Sequence, residues 1–197
     1  MSSTATLTRL LLVQPGPTEF DEQGRLKGSL DMPLSEAGFA EANAVASQLC
    51  DTPITMIYAA PCESAQQTAA LIAAAQPQGG RMVKTKVMDA FQNINQGLWH
   101  GKLIEEIKRN HPRVYRQGAE HPLECAAPEG ESLGDVQNRI QKALKKCLKR
   151  ARDETVALVV PNPLASMIRS QLTAEPMPSV WNHCTDTAKW EVVQTEL

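Results

Sequence analysis

The 197-residue chain predicts a single three-layer α/β/α domain over 1–197 with a mostly parallel central sheet, and three observations predict it. Short apolar runs alternate with longer segments of helical period along the whole chain, and no internal repeat interrupts them. One run, TVALVVP at 155–161, is apolar almost throughout, as a strand covered on both faces requires. The length suits one domain, because a chain of this size buries about 70% of its unfolded surface and needs neither disulfides nor a structural metal to hold a core.

The first strand is LTRLLLV at 7–13, closed by Pro15, Gly16 and Pro17. A polar, glycine-bearing loop covers 18–33, and a helix capped by Ser35 continues through Ala42, Val45, Ala46 and Leu49. ITMIYAA at 54–60 predicts the second strand, and the alanine- and glutamine-rich stretch 64–75 the helix after it. A third strand is expected at 82–88, after the Gly79-Gly80 turn. The stretch 97–121 is a long excursion with a helix centred on 103–110, and His111-Pro112 and His121-Pro122 read as a helix end and a turn. Leu133, Val136, Ile140, Leu144, Cys147 and Ala151 form one stripe of a helix over 132–152. The strand at 155–161, a short helix at 165–172 and a last strand at 188–194 complete the series.

Composition narrows the function classes. Twenty basic against 22 acidic side chains give a net charge of −2 and no general pull toward nucleic acid. Lys142, Lys145, Lys146, Lys149, Arg150 and Arg152 crowd one helix, but a solvated outer face explains them. Five cysteines with no C-x-x-C pair read as reduced thiols of a cytoplasmic protein, and His183-Cys184 lacks the spacing of a metal site. No apolar window reaches membrane-spanning length and no export signal is evident, so neither membrane nor secretion is expected. Neither a metal nor a cofactor is expected, and common nucleotide and hydrolase signatures are missing. The four histidines, at 100, 111, 121 and 183, limit any imidazole chemistry.

Several ordered motifs resemble the histidine phosphatase superfamily, which includes the cofactor-dependent phosphoglycerate mutases. LLVQPGPT at 11–18 resembles its L-V-R-H-G-x-T signature, and GRLKGSLDMPLSEAGFAEA at 24–42 the segment beyond it. YAAPCESAQQTA at 58–69 is similar to Y-S-S-P-x-x-R-A-x-Q-T-A, and GLWHG at 97–101 to G-x-W-x-G. PEGESLGDVQNRI at 128–140 resembles P-x-G-E-S-x-x-D-x-x-x-R, and LVVPNPLASMIRSQL at 158–172 the last V-V-x-H-G block. The resemblance spans nearly the whole chain and implies a phosphoglycerate mutase-like fold.

It also implies a degenerate pocket. The family's nucleophilic histidine falls on Pro15, which has no side-chain nitrogen to attack phosphorus, and its neighbouring arginine falls on Gln14. A second arginine matches Ser64, next to Glu63, whose charge would repel phosphate if it faced inward. Counting back from G-x-W-x-G places Asn93 at the general acid, and the second histidine matches Asn162. Thr18, Arg25 and Ser29 remain as candidate ligand-binding residues at the mouth, although bracing of the loop explains Arg25 equally well. Asp31 is expected to hold the loop, Arg169 to pair with a carboxylate or sheet-end carbonyls, and Trp99 to pack in the core or pocket wall. On this reading the domain is catalytically inactive and serves binding or regulation, with a protein partner or small polar ligand and with self-association left open. The alternative is a phosphatase or phosphomutase acting on a small phosphorylated substrate through substitute residues, Cys62 being one candidate thiolate.

Overall fold

A computed structural model of the chain describes residues 7–77, 83–124, 126–149, 151, 154–177, 179 and 188–196. It shows a single α/β domain with one five-stranded, mostly parallel sheet in the order β3-β2-β4-β1-β5. The strands are β1 (Leu7–Gln14), β2 (Met56–Ala59), β3 (Lys84–Val87), β4 (Thr155–Val159) and β5 (Lys189–Glu196). Parallel pairing joins β1 to β4 and β2 to both β4 and β3, whereas β5 lies antiparallel along β1.

Leu10, Leu11, Leu12 and Val13 of β1 are all buried, as are Val156, Ala157, Leu158 and Val159 of β4. Consecutive strand residues point to opposite faces, so burial of every one requires cover on both sides. Helices α2 (Glu36–Gln48) and α3 (Glu63–Ala75) pack on each other, and α2 covers the face that Trp190 reaches, since the indole Nε1 donates to Gln48 Oε1 at 2.8 Å. Lys189 and Glu191 flank Trp190 in β5 and therefore project to the other face, where Arg169 of α7 (Leu164–Thr173) meets Glu191. Helix α6 (Leu133–Leu148) contacts α7 and presents its stripe, Leu133, Val136, Ile140, Leu144 and Cys147, to the core. Lys142, Lys145, Lys146 and Lys149 are exposed on its outer side; Arg150 and Arg152 lie outside the described residues.

The elements depart from the sequence expectation in two places with clear causes. The segment read as loop from residue 18 opens with a short helix, α1 (Glu19–Glu22), where the Asp21 carboxylate reaches back to accept the Thr18 N–H at the helix start. His111-Pro112 is a helix end, as expected, but also a helix start: α4 (Ile104–Asn110) ends and α5 (Pro112–Glu120) begins with proline in its first turn, where the missing N–H has no helical partner to lose. The third strand is shorter than expected, and residues 78–82, like His183 and Cys184, lie outside the described residues. Among the described residues, no helix is long and apolar enough to cross a membrane.

Candidate functional site at the ends of β1 and β4

Two parallel strands end side by side, β1 at Gln14 and β4 at Val159, and the loops beyond them carry most of the residues singled out above. Asn162 Nδ2 donates to Gln14 Oε1 at 2.9 Å, and Asn162 Oδ1 accepts from Ser166 Oγ at 3.0 Å. Asn93, almost fully buried, donates from Nδ2 to the Asn162 carbonyl at 3.2 Å, while its Oδ1 accepts the Ile94 N–H. Gln14, Asn93 and Asn162 thus form one neutral network. Gln14 Nε2 has no partner among the described residues.

Pro15 and Pro17 fix the turn after β1, and Gly16 between them lies against Gly38 of α2. A methyl on either glycine would run into the opposing backbone, Gly38 O in one case and Pro17 O in the other. The Gly16 N–H points to Thr68 Oγ1 of α3 at 3.4 Å. Ser64 is wholly buried in the first turn of α3, with its hydroxyl 3.7 Å from the Cys62 thiol. Glu63 beside it faces outward and accepts from Gln67 Nε2, so the repulsion feared from an inward Glu63 does not arise. Asp31 Oδ1 accepts the Glu63 N–H at 2.6 Å and fastens the 24–31 loop to the start of α3, as expected of it.

The three candidate ligand residues separate. Thr18 is inaccessible, and both its N–H and its hydroxyl donate to Asp21 Oδ2 at 2.7 Å. The same oxygen takes Lys27 Nζ at 2.7 Å in a buried ion pair that the sequence reading did not find. Thr18 is therefore a cap, and Lys27 is a cation with its counter-ion already in place. Arg25 braces the loop, but through Gly101 O at 2.7 Å and Gln23 Oε1 at 3.0 Å rather than through a salt bridge. Ser29 alone stays at the mouth with its hydroxyl within reach of a titratable group, 3.2 Å from His100 Nε2.

His100 does more than occupy a loop. Its Nε2 also accepts the Gln96 N–H at 3.1 Å and the Ser29 N–H at 3.3 Å, which places a ring proton on Nδ1. Gly28 makes this approach feasible: its φ is +55°, and a Cβ there would meet the imidazole at 2.7 Å. Trp99 is core, at 1% exposure. Arg139 ties the loop that carries Asn93 to α6 by pairing with Glu131 at 2.9 Å and donating to Ala90 O at 2.8 Å.

A cleft of about 370 Å³ opens beside this network, between α7 and the β1–β5 edge. Leu12, Gln14, Asn162, Ala165, Ser166, Arg169, Lys189, Trp190 and Glu191 line it. Arg169 pairs with Glu175 at 2.9 Å and with Glu191 at 3.4 Å, as a carboxylate partner was expected. The sequence reading had placed no ligand residue in β5. The signal available was Lys189-x-Glu191, two charges that a strand puts on one face.

Residues 10–196 match the Histidine phosphatase superfamily (branch 1). The chain belongs to that superfamily. It is 30% identical over 191 residues to Phosphoserine phosphatase 1 of Hydrogenobacter thermophilus, a match that covers 96% of this chain and 88% of that relative. The crystal structure of a phosphoglycerate mutase from Bacillus anthracis superposes with a TM-score of 0.84 at 17% identity, covering 98% of this chain and 89% of the other. A mycobacterial glucosyl-3-phosphoglycerate phosphatase does so with 0.80 at 22%, covering 95% and 90%. These two establish the phosphoglycerate mutase-like fold.

The relative that matches almost end to end corrects the expectation of an inactive, binding or regulatory domain: a phosphatase's name on it points to an enzyme rather than a pseudoenzyme. The inference to inactivity was too strong for a physical reason. Loss of a side chain at Pro15 shows which group does not attack phosphorus there, whereas hydrolysis needs only some nucleophile, water included, and some proton acceptor.

Proposed function

We propose that this chain hydrolyses a small phosphomonoester, with O-phosphorylated amino acids such as phosphoserine as the substrate class, at the ends of β1 and β4. The observation that carries the reading is the 30% identity to Phosphoserine phosphatase 1 across 96% of the chain. Residues other than the family's histidines do the chemistry. His100, presenting Nε2 beside Ser29, is the base at the mouth, and the loop it ties is the one that brings Asn93 to Asn162. Water attacks phosphorus, one P–O bond forms and the ester P–O bond breaks. The proton shed by the water goes to His100 Nε2 and from there to the departing alkoxide.

This machinery is weak by construction. Two amides share the lone pair of His100, and Gln14 and Ser64 bring no cation to the phosphoryl oxygens. Oriented binding without a dedicated nucleophile is worth about 10³–10⁴ over water in enzymes stripped of their catalytic groups, and that is the scale anticipated. We place the protein in the cytoplasm, a reading supported by free thiols at Cys50, Cys62 and Cys147.

The test is release of phosphate from O-phospho-L-serine by the purified protein. The expected result is slow release that follows the protein through successive columns and falls about 10²-fold in His100→Gln. Release no faster than in buffer alone overturns the reading.

A further inference from the structure

We propose that the cleft between α7 and the β1–β5 edge receives the amino-acid end of an O-phosphorylated amino acid, with its carboxylate at Lys189 and its ammonium at Glu191. The proposal rests on the phosphatase reading above for the phosphoryl end of the ligand, and on separate observations for the other end.

The strand register sets the geometry. Lys189 lies directly across from Gln14, and Glu191 directly across from Leu12, so two opposite charges stand two residues apart on one face of β5. That spacing is about 6.6 Å along a strand, within which two mobile side chains can converge on groups separated by a single carbon. Lys189 is exposed and forms no ion pair with any described residue. Glu191 is held through Oε2 by Arg169 Nε, and its Oε1 has no partner among the described residues. Both signs of charge are therefore available along the β5 side of the cleft. A plain phosphate site would have no use for the carboxylate, which would repel a dianion.

The β1 and α7 side, across from them, is suited to the phosphoryl group. Gln14 Nε2 has donors to spare, and Ser166 Oγ lies in the same wall. Leu12, directly across from Glu191, and Ala165 give the cleft its apolar lining. A phosphorylated amino acid laid across the strand pair matches these groups: phosphoryl oxygens at Gln14 on β1, and a zwitterion at Lys189 and Glu191 on β5. The charges are half exposed and screened, so affinity in about the millimolar range is expected.

Calorimetry with four probes tests the assignment: O-phospho-L-serine, phosphoglycolate, which lacks the ammonium, phosphoethanolamine, which lacks the carboxylate, and inorganic phosphate. Phosphoserine should bind about tenfold more tightly than each of the others. Glu191→Gln should abolish the preference over phosphoglycolate and keep that over phosphoethanolamine; Lys189→Gln should do the reverse. Four equal affinities, no binding at all, or preferences that survive both substitutions overturn the proposal. The comparison on the unaltered protein decides even if a variant melts early. Parallel phosphate-release measurements separate the two readings: turnover without this selectivity sinks only the cleft, and selectivity without turnover sinks only the phosphatase.

Discussion

The floor of the site and the loop beside it treat charge in opposite ways. At the ends of β1 and β4, Gln14, Asn93, Asn162 and Ser166 are linked to one another as neutral amides and a hydroxyl. A few residues along the chain, Thr18, Asp21 and Lys27 bury a full ion pair, with Asp21 Oδ2 accepting three donors at 2.7 Å. Nearby, Glu22 accepts from the Ser35 hydroxyl. The difference shows that the region has not simply lost its charged groups: the cation it does bury is neutralised internally and holds the loop, while the surface that would meet a phosphoryl group offers dipoles. On the proposed reading the phosphoryl group therefore meets amide donors such as Gln14 Nε2, and Lys189 on the rim is left for the ligand's carboxylate.

Breaking the charged region should have the largest effect. Lys27→Met leaves Asp21 buried without its counter-ion, for an expected loss of about 3–5 kcal/mol in urea unfolding. The double change Asp21→Asn with Lys27→Met should recover most of it, and a loss below about 1 kcal/mol for Lys27→Met would show that the pair is solvated. Gly16→Ala tests the turn that joins the two regions. Its methyl has no room against Gly38, and overpacking of this kind lowers stability by about 1–3 kcal/mol or more, readable as an earlier thermal midpoint. An unchanged midpoint would mean that α2 can retreat from the turn. The neutral floor should respond least: Asn162→Leu and Gln14→Leu should each cost about 1 kcal/mol, with a coupling of about 0.5–1.5 kcal/mol in the double-mutant cycle because they share one hydrogen bond. Additive losses would show the amides acting independently.

Much of the fold was legible because strand burial writes itself into unbroken apolar runs: the strands at β1 and β4 and the stripe of α6 were found where they are. The helices α1 and α5 were missed since their signals were end effects, the Asp21 carboxylate returning to the Thr18 N–H and a proline in the first turn of α5, rather than periodicity. In the site, Gln14, Asn93 and Asn162, drawn from three separate motifs, meet in one hydrogen-bonded network. Two things could not be read. Lys27 looked like an ordinary loop lysine, because nothing local states that Asp21 lies beneath it. Lys189 and Glu191 join the site only through antiparallel pairing with β1, across about 175 residues of chain, and no local pattern carries that partnership.

The place of β1 in the sheet has a kinetic consequence. Its partners are β4, paired from Arg9 to Thr155 onward, and β5, paired from Gln14 to Lys189 onward. During synthesis β1 therefore has neither of its neighbours until the chain has passed residue 155, and lacks the second until it has passed residue 189. A strand with Leu10, Leu11, Leu12 and Val13 in succession is adhesive while it waits, and pairings of such long separation close slowly. Assembly of the sheet centre, and with it the seat of Gln14, is for this chain a late event, for which segments such as α2 and α3 with β2 can prepare but which they cannot complete.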